Sequence, residues 1–537
     1  MSERTDVSRK DLRSIFEGGA VYADRWSPEV RAALDVSDVL ADTVMKALQD
    51  GKSVVLSGNA GDGKSHLAQR ALDQFPSRRC LEITEHHALP DVVPGDALIF
   101  IRDASGLSDA RVLNTVNRAR KAGAPLLVTI NEGPLASLSE HPEGEYFRQI
   151  RNVLHERALG GETSDPAGSL VINLAGRQLT RSEFVQGVLD KLLPVVGPCA
   201  VCGRAQTCPR VVGAKMLRKS KRARERLEDL LRLLSDAGQH LSAREIWVLV
   251  IDLFFGWVCP PGAQEADRLP GYFWMRVFEG ESLTSERISG HFDPVTVPLA
   301  REDVLLWRGN FDALAMEGEY PGARPVTSAR ESEKDGLRAF ASAKRCYFFF
   351  GKRLDAKRLL HKRSLAPRFG ELLTQAIRDP RPVIREIVGY MNKYRLSQET
   401  ENELWISRHN GFAAHRRPAG LGASARLSID ELEVLVPHKF EHQRYGSGFF
   451  PTRIFMHWRG SEQLLAVDFD TWQRLQEPRT LTVDRDQETL DFSLDLFMAQ
   501  AKVSAIDDPE ILIYDHRRAE ETVLRVRADE RRIEVLR

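Results

Sequence analysis

An eight-residue segment, Gly58-Asn59-Ala60-Gly61-Asp62-Gly63-Lys64-Ser65, limits what this chain can fold into more than any other stretch. It matches the phosphate-loop pattern G-x-x-x-x-G-K-[ST] in full. The apolar run SVVLS (53–57) precedes it, and a helix-like stretch from His66 to Gln74 follows. Glycines let the backbone wrap closely around phosphate oxygens, with amide N–H groups turned inward. The pattern predicts that these residues, with His66, bind the phosphates of ATP. Lys64 would reach the β- and γ-phosphates, and the Ser65 hydroxyl would sit on Mg²⁺. The competing reading is an ordinary glycine-rich turn.

The surrounding text supports a layered α/β core. CLEIT (80–84), ALIFI (97–101), PLLVTI (125–130) and SLVINL (169–174) read as further apolar strands. Between them, residues 109–122 and Glu143–Leu159 read as helices, and residues 28–50 as a helix ahead of the first strand. Continuous apolar strands alternating with helices indicate a parallel sheet covered on both faces. At 537 residues the chain exceeds one core. The expected division is a polar lead-in over 1–27, a phosphate-loop core over 28–180, a helical lid over 181–333, a basic helical region over 334–425 and a β-rich domain over 426–537. Helix is expected as far as about residue 410. LEVLV, TRIFMHW, LLAVDF, RTLTV and EILIY are the strand-like segments of the last part. The fold class is therefore α/β: a parallel-sheet P-loop core of additional-strand, AAA+-like type, with a helical lid, a second helical region and a small C-terminal β-rich domain.

Hydrolysis needs an acid near the magnesium shell. Asp103, just after ALIFI-Arg102, is the candidate, with a helix N-cap as its alternative role. Ala104 follows it where AAA+ proteins usually carry the glutamate that activates water. Glu132 and Glu85, after the fourth and second strands, are the substitutes. Glu132 is preferred because Asn131 beside it suits a sensor amide for the γ-phosphate, although Asn-Glu-Gly is also a turn sequence. Arg148, Arg151 and Arg157 are candidates for an arginine finger serving a neighbouring subunit in a homo-oligomer. A solvated helix face is the competing reading for each. Arg244, in LSAREIW, is a candidate second sensor.

Lys+Arg and Asp+Glu both number 76, so overall charge predicts no nucleic-acid partner and only local clusters do. One cluster runs over 204–226, with Arg204, Arg210, Lys215, Arg218, Lys219, Lys221, Arg222, Arg224 and Arg226. The other runs from Lys344 to Arg368, with Lys352, Arg353, Lys357, Arg358, Lys362 and Arg363. Either suits backbone phosphates or a solvated face. The run Tyr347-Phe348-Phe349-Phe350 is expected in a core rather than stacked on bases. Cys199-x2-Cys202-x5-Cys208 has the spacing of a structural zinc site, with Cys259 the expected fourth ligand and His240 the alternative. The sequence contains no run of eighteen apolar residues. MSERTDVSRKDLRSIFEGG lacks the apolar centre of a signal peptide. A cytoplasmic location without a membrane partner is expected.

The order GNAGDGKSHL, TINEGPL, VINLAGRQL, the cysteine cluster, LSAREIWVLVIDLFFG and HFDPVTVP resembles the P-loop ATPases of bacterial phage-defence operons. Within these it is most similar to the DptF family of DNA phosphorothioation-dependent restriction, over roughly residues 50–310. The resemblance implies other restriction subunits as partners and DNA lacking a protective modification as target. It also implies Lys64 and Ser65 for phosphate and magnesium and Asp103 for the magnesium shell. Two other functions fit an ATPase of this build: a STAND-like, nucleotide-gated sensor of a protein ligand, and an AAA+ protein remodeller.

Overall fold

The computed structural model describes residues 35–73, 79–94, 97–197, 205–260, 262–323, 333–396, 401–407, 421–446, 448–459, 461–477, 485–504, 510–515, 520–527 and 532–536. The expected lead-in, Cys199, Cys202 and RTLTV lie outside these residues. Two compact units divide the chain. The first takes in the described residues of Met1–Glu156, Glu162–Pro367 and Phe440–Phe450; the second takes in those of Arg157–Gly161, Arg368–Lys439 and Pro451–Arg537. The helices of 333–363 fall in the first unit.

The first unit is built on five parallel strands: β1 (Ser53–Gly58), β2 (Cys80–Glu82), β3 (Leu98–Ile101), β4 (Leu126–Asn131) and β5 (Ser169–Asn173), in the spatial order β2-β3-β4-β1-β5. Side chains alternate across a strand, and here both faces are apolar. Val54, Leu56, Leu127, Leu170 and Ile172 face one side and pack on α1 (Val39–Gln49) and α2 (Lys64–Asp73). Val55, Leu126, Val128, Ile130 and Val171 face the other. There they meet α3 (Asp109–Lys121), α4 (Glu132–Glu140) and α5 (Glu145–Ala158). Fully buried strands of this kind need helices on both sides, which explains the continuous apolar runs. Phe449 completes the face covered by α1 and α2.

Two local signals set the edges. The Asp38 side chain accepts the Leu40 N–H and starts α1 at Val39, so the part of 28–50 that is described opens later than the periodicity suggested. β2 stops at Glu82 rather than residue 84 because the Thr84 hydroxyl takes the N–H groups of His86 and His87 into a turn.

Among the described residues, nine more helices complete the first unit's main run: α6 (Phe184–Leu192), α7 (Pro209–Lys219), α8 (Lys221–Asp236), α9 (Ala243–Phe255), α10 (Phe273–Glu279), α11 (Leu283–His291), α12 (Ala300–Trp307), α13 (Glu333–Phe350) and α14 (Ala356–Arg363). Their core is aromatic. Phe273 meets Trp274, Phe349 and Phe350 edge-on with ring centroids 5.1 to 6.0 Å apart.

In the second unit α15 (Ala366–Arg378) leads into α16 (Pro380–Leu396). The chain then turns extended where helix was expected to run to 410. β6 (Glu403–Ser407) pairs with β7 (Leu421–Ser428), and the Asn392 amide on α16 bonds Glu403 O and Trp405 N. That pairing is non-local, so no helical periodicity foretells it. β8 (Leu432–Leu435), α17 (Lys439–Tyr445, in the first unit), β9 (Ile454–Trp458), β10 (Leu464–Val467), α18 (Phe469–Gln476) and α19 (Arg485–Ser504) follow. The last strands are β11 (Glu510–Asp515), β12 (Glu520–Arg527) and β13 (Arg532–Leu536). They form two antiparallel sheets, β10-β9-β8 and β13-β12-β11-β7-β6.

Candidate functional site

The carboxyl ends of β1, β3 and β4 converge on one edge of the parallel sheet, where ligand crevices of open α/β sheets lie. Gly58 ends β1 in register with Asn131 at the end of β4. Between Gly58 and α2 the chain makes a tight loop. Gly61 holds φ at +92°, and Gly63 at +88°, both disfavoured for other residues. A Cβ on Gly58 would lie 2.9 Å from Asp62 Oδ2 and 3.1 Å from Ala175 N, so only glycine fits there. Asp62 closes the loop by accepting the Asn59 N–H at 2.7 Å.

Lys64 opens α2 and folds back into this loop. Its ammonium donates to Gly58 O at 3.0 Å and Asn59 O at 2.6 Å. Burial pulls its pKa below the usual lysine value; Asp62, Asp103 and Glu132 push it back up, and Arg244 adds to the depression. A buried cation at the head of a helix, held on backbone carbonyls, is matched to an incoming anion.

The Ser65 hydroxyl faces the end of β3, 3.4 Å from Arg102 O, and the Thr129 hydroxyl donates to the same carbonyl. The Arg102 guanidinium grips Glu82 and Gln69. Asp103 caps the short turn 104–106, accepting the Ser105 N–H at 2.9 Å through Oδ1. The N-cap role weighed for it is therefore real. It uses one carboxylate oxygen and leaves Asp103 close enough to act on Lys64. Asn131 donates to the Ser105 hydroxyl. Glu132 is the first residue of α4, and its charge also reaches Lys64. Glu85 is not among the groups acting most strongly on Lys64; its carbonyl accepts from Arg111. The His66 side chain pairs with Asp35 at 3.0 Å.

The segment leading into α9 covers the outer side of the loop. Arg244 N–H donates to Gly61 O at 3.3 Å, and the Arg244 charge is felt at Lys64. His240, the alternative zinc ligand, has its Nε2 2.7 Å from Asp62 Oδ1. Of the expected zinc ligands, Cys208 and Cys259 are reduced thiols. Among the described residues no group of three or more His, Cys, Asp or Glu gathers for a metal.

The arginines of α5 divide. Arg148 bonds Glu145 and His141 O, and Arg151 bonds Ser139 and Glu140. Arg157 is 1% exposed, on the buried side of the helix. The two basic clusters divide as well. In the first, Arg226 is buried and donates to Phe348 O, Gly351 O and Leu354 O; Arg222 pairs with Glu317, Arg224 with Asp190, and Arg210 bonds Gly197 O. In the second, Lys344 is buried against Asp303, whereas Lys352, Arg353, Lys357, Arg358, Lys362 and Arg363 are exposed. Tyr347 to Phe350 are buried in the helical core, as expected.

Sequence reading missed Ser105, Thr129 and the Asp62–His240 pair, because each acts through a partner distant in sequence. The Ser242–Glu245 capping box that fixes α9 beside the loop is a legible four-residue signature. Among the described residues no helix is long and apolar enough to cross a membrane. The sequence matches no protein-family model, and no curated protein matches it closely enough to stand as a relative.

Proposed function

We propose that the Gly58–Ser65 loop binds the triphosphate of ATP and that the chain hydrolyses it. The observation that carries this reading is the Lys64 ammonium, held on Gly58 O and Asn59 O inside a glycine-built loop at the head of α2. Phosphate oxygens would replace those two carbonyls as its partners. One strand, β4, intervenes between the loop strand β1 and β3, the strand that Asp103 follows, in keeping with an additional-strand ATPase core.

Ser65 and the second oxygen of Asp103 are the groups that would hold Mg²⁺, which when bound neutralises charge on the β- and γ-phosphates. Glu132 accepts a proton from the attacking water as its oxygen bonds to the γ-phosphorus and the bond to the β–γ bridging oxygen breaks, giving ADP and phosphate. Asn131 orients the γ-phosphate end, and Arg244 adds positive charge from the α9 side. The resemblance to phage-defence ATPases sets this hydrolysis in a DNA-restricting complex with other subunits. The exposed cations of 352–363 favour DNA over an unfolded polypeptide as the stimulating partner.

A direct test is an ATP titration and turnover assay of the wild-type chain and Lys64→Ala, with duplex DNA or an unfolded polypeptide added in turn. ATP binding lost in Lys64→Ala and turnover raised by DNA are the expected results. Wild-type turnover in Lys64→Ala would remove the loop from the reaction. Stimulation by polypeptide alone would make the chain a protein remodeller.

A further inference from the structure

Asp62 lies within the glycine loop, yet its side chain is only 1% exposed. A carboxylate withdrawn from water to that degree needs hydrogen-bonded partners. One is local, the Asn59 N–H at 2.7 Å through Oδ2. The other comes from a different part of the fold, His240 Nε2 at 2.7 Å from Oδ1. His240 Nδ1 is buried and has no hydrogen-bond partner among the described residues. The bond to Asp62 is thus the polar contact through which this imidazole is oriented. A bare ring nitrogen is tolerated better than a bare N–H, so the favoured tautomer carries its proton on Nε2 and donates it to Asp62.

The neighbours of His240 extend the connection. Ser242 caps α9 and accepts the Glu245 N–H, and the Glu245 carboxylate returns to the Ser242 N–H. Glu245 also bonds Arg287 on α11 at 3.0 Å. Gln239, on the other side of His240, bonds His291 at the end of α11. Residues 239–245 are therefore anchored to α11 at both ends, and they touch the loop through His240 and through the Arg244 N–H on Gly61 O. A Cβ on Gly61 would lie 3.2 Å from Arg244 Cβ, so the two segments are packed without slack.

We infer that His240 is a positioning residue that latches the glycine loop to α9 and α11 through Asp62, so that filling the loop with phosphates is felt in these helices. The inference rests on the reading of the loop as a triphosphate site. Asn59 is the hinge of the relay. Its carbonyl holds the Lys64 ammonium, and its N–H holds Asp62. When phosphate oxygens draw Lys64 off Asn59, the peptide that orients Asp62 is freed to move, and the Asp62–His240 bond carries that movement to residues 239–245. His240 itself makes no phosphate contact in this scheme.

The experiment compares wild type, Lys64→Ala, His240→Ala, His240→Gln, Asp62→Ala and the His240→Ala/Asp62→Ala pair. Each is titrated with a fluorescent ATP analogue, and hydrogen exchange of α9 and α11 is followed with and without ATP. His240→Ala is expected to weaken nucleotide binding by about 10-fold, the cost of one lost hydrogen bond to a charged group, and to abolish ATP-dependent protection of α9. Glutamine, whose amide can occupy the Nε2 position, restores most of both. The double variant binds no worse than Asp62→Ala alone, because the two residues act as one unit. Additive losses in the double variant, or α9 protection that survives in His240→Ala, overturns the latch while leaving the loop assignment standing. A wild-type chain that binds the analogue no better than Lys64→Ala overturns the loop assignment and the latch together.

Discussion

The Asn131 side-chain amide donates to the Ser105 hydroxyl across 3.0 Å, tying the tip of β4 to the turn after β3. The same turn carries Asp103, whose carboxylate accepts the Ser105 N–H. Two polar groups from separate strands are therefore held as one unit at the sheet edge, ahead of any ligand.

That coupling gives the first prediction. Asn131→Ala removes the donor to Ser105 and, on the proposed triphosphate reading, the amide that would orient the γ-phosphate. A preorganised donor of this kind contributes mainly in the transition state, so kcat is expected to fall by about 10²-fold while the dissociation constant for ATP stays near the wild-type value. Single-turnover hydrolysis with a parallel binding titration separates the two. A matched loss of affinity and rate would instead make Asn131 a ground-state binding group.

The identity of the base is the second prediction. Glu132 heads α4 and acts on Lys64, whereas Glu85 is not among its strongest influences. Glu132→Gln is expected to cut turnover by about 10²- to 10⁴-fold, the range for a lost general base, with ATP still bound. Glu85→Gln is expected to turn over near the wild-type rate. The opposite pattern in the same assay would transfer the role to Glu85.

The third prediction concerns the loop's conformation. Gly61 sits at φ +92°, and an added methyl would press on Ser242 and Arg244 at 3.2 to 3.4 Å. Gly61→Ala is therefore expected to lose about 1–2 kcal/mol from backbone strain alone, with the packing conflict added. Denaturant unfolding measures the loss. A variant as stable as wild type would mean that the loop relaxes freely away from α9.

Much of this core was legible because its signals are local. An apolar strand, a glycine loop and a following helix lie within Ser53–Asp73, and periodicity gave β3, β4 and β5 to within a residue or two. The illegible parts are those in which distant segments meet. Nothing adjacent to Asp62 announces His240, which is 178 residues away. Phe449 joins the face of the sheet covered by α1 and α2 although its own neighbourhood reads as part of the β-rich end. The basic run 204–226 reads as one cationic stripe, but burial turns Arg210 and Arg226 into internal donors to backbone carbonyls. Charge counts cannot distinguish a cation that holds the fold from one that faces solvent.

Asp236 supplies a fourth prediction, on pH. It pairs with Arg181 inside the first unit. Burial lifts its pKa from 3.8 to about 6, against the pull of Arg181, Arg232 and His361. The folded state therefore holds this proton more tightly than the unfolded chain does. Its contribution to stability is complete below about pH 4 and is lost as pH rises through 6. Unfolding free energies of wild type and Asp236→Asn across that window should diverge steadily, with wild type losing ground as pH rises. A constant difference between the two would show that Asp236 does not titrate there.

The last prediction uses the contrast between the two basic clusters. Lys357, Arg358, Lys362 and Arg363 are exposed on α14, while Arg226 is buried and bonds three backbone carbonyls. If α14 carries DNA phosphates, reversing its four charges to glutamate weakens duplex binding at low salt. It also flattens the dependence of log K on log salt by about 3 to 4, at roughly 0.9 for each phosphate that is no longer neutralised. Arg226→Ala should do the reverse: it leaves three carbonyls without their donor and lowers the unfolding midpoint, while the salt slope of the protein that remains folded is unchanged. Binding titrations at several salt concentrations, run beside thermal unfolding of the same preparations, distinguish the two effects. An unaltered slope in the α14 variant would remove this helix from the DNA-binding surface, because a surface that neutralises phosphates cannot lose four cations without releasing fewer counterions.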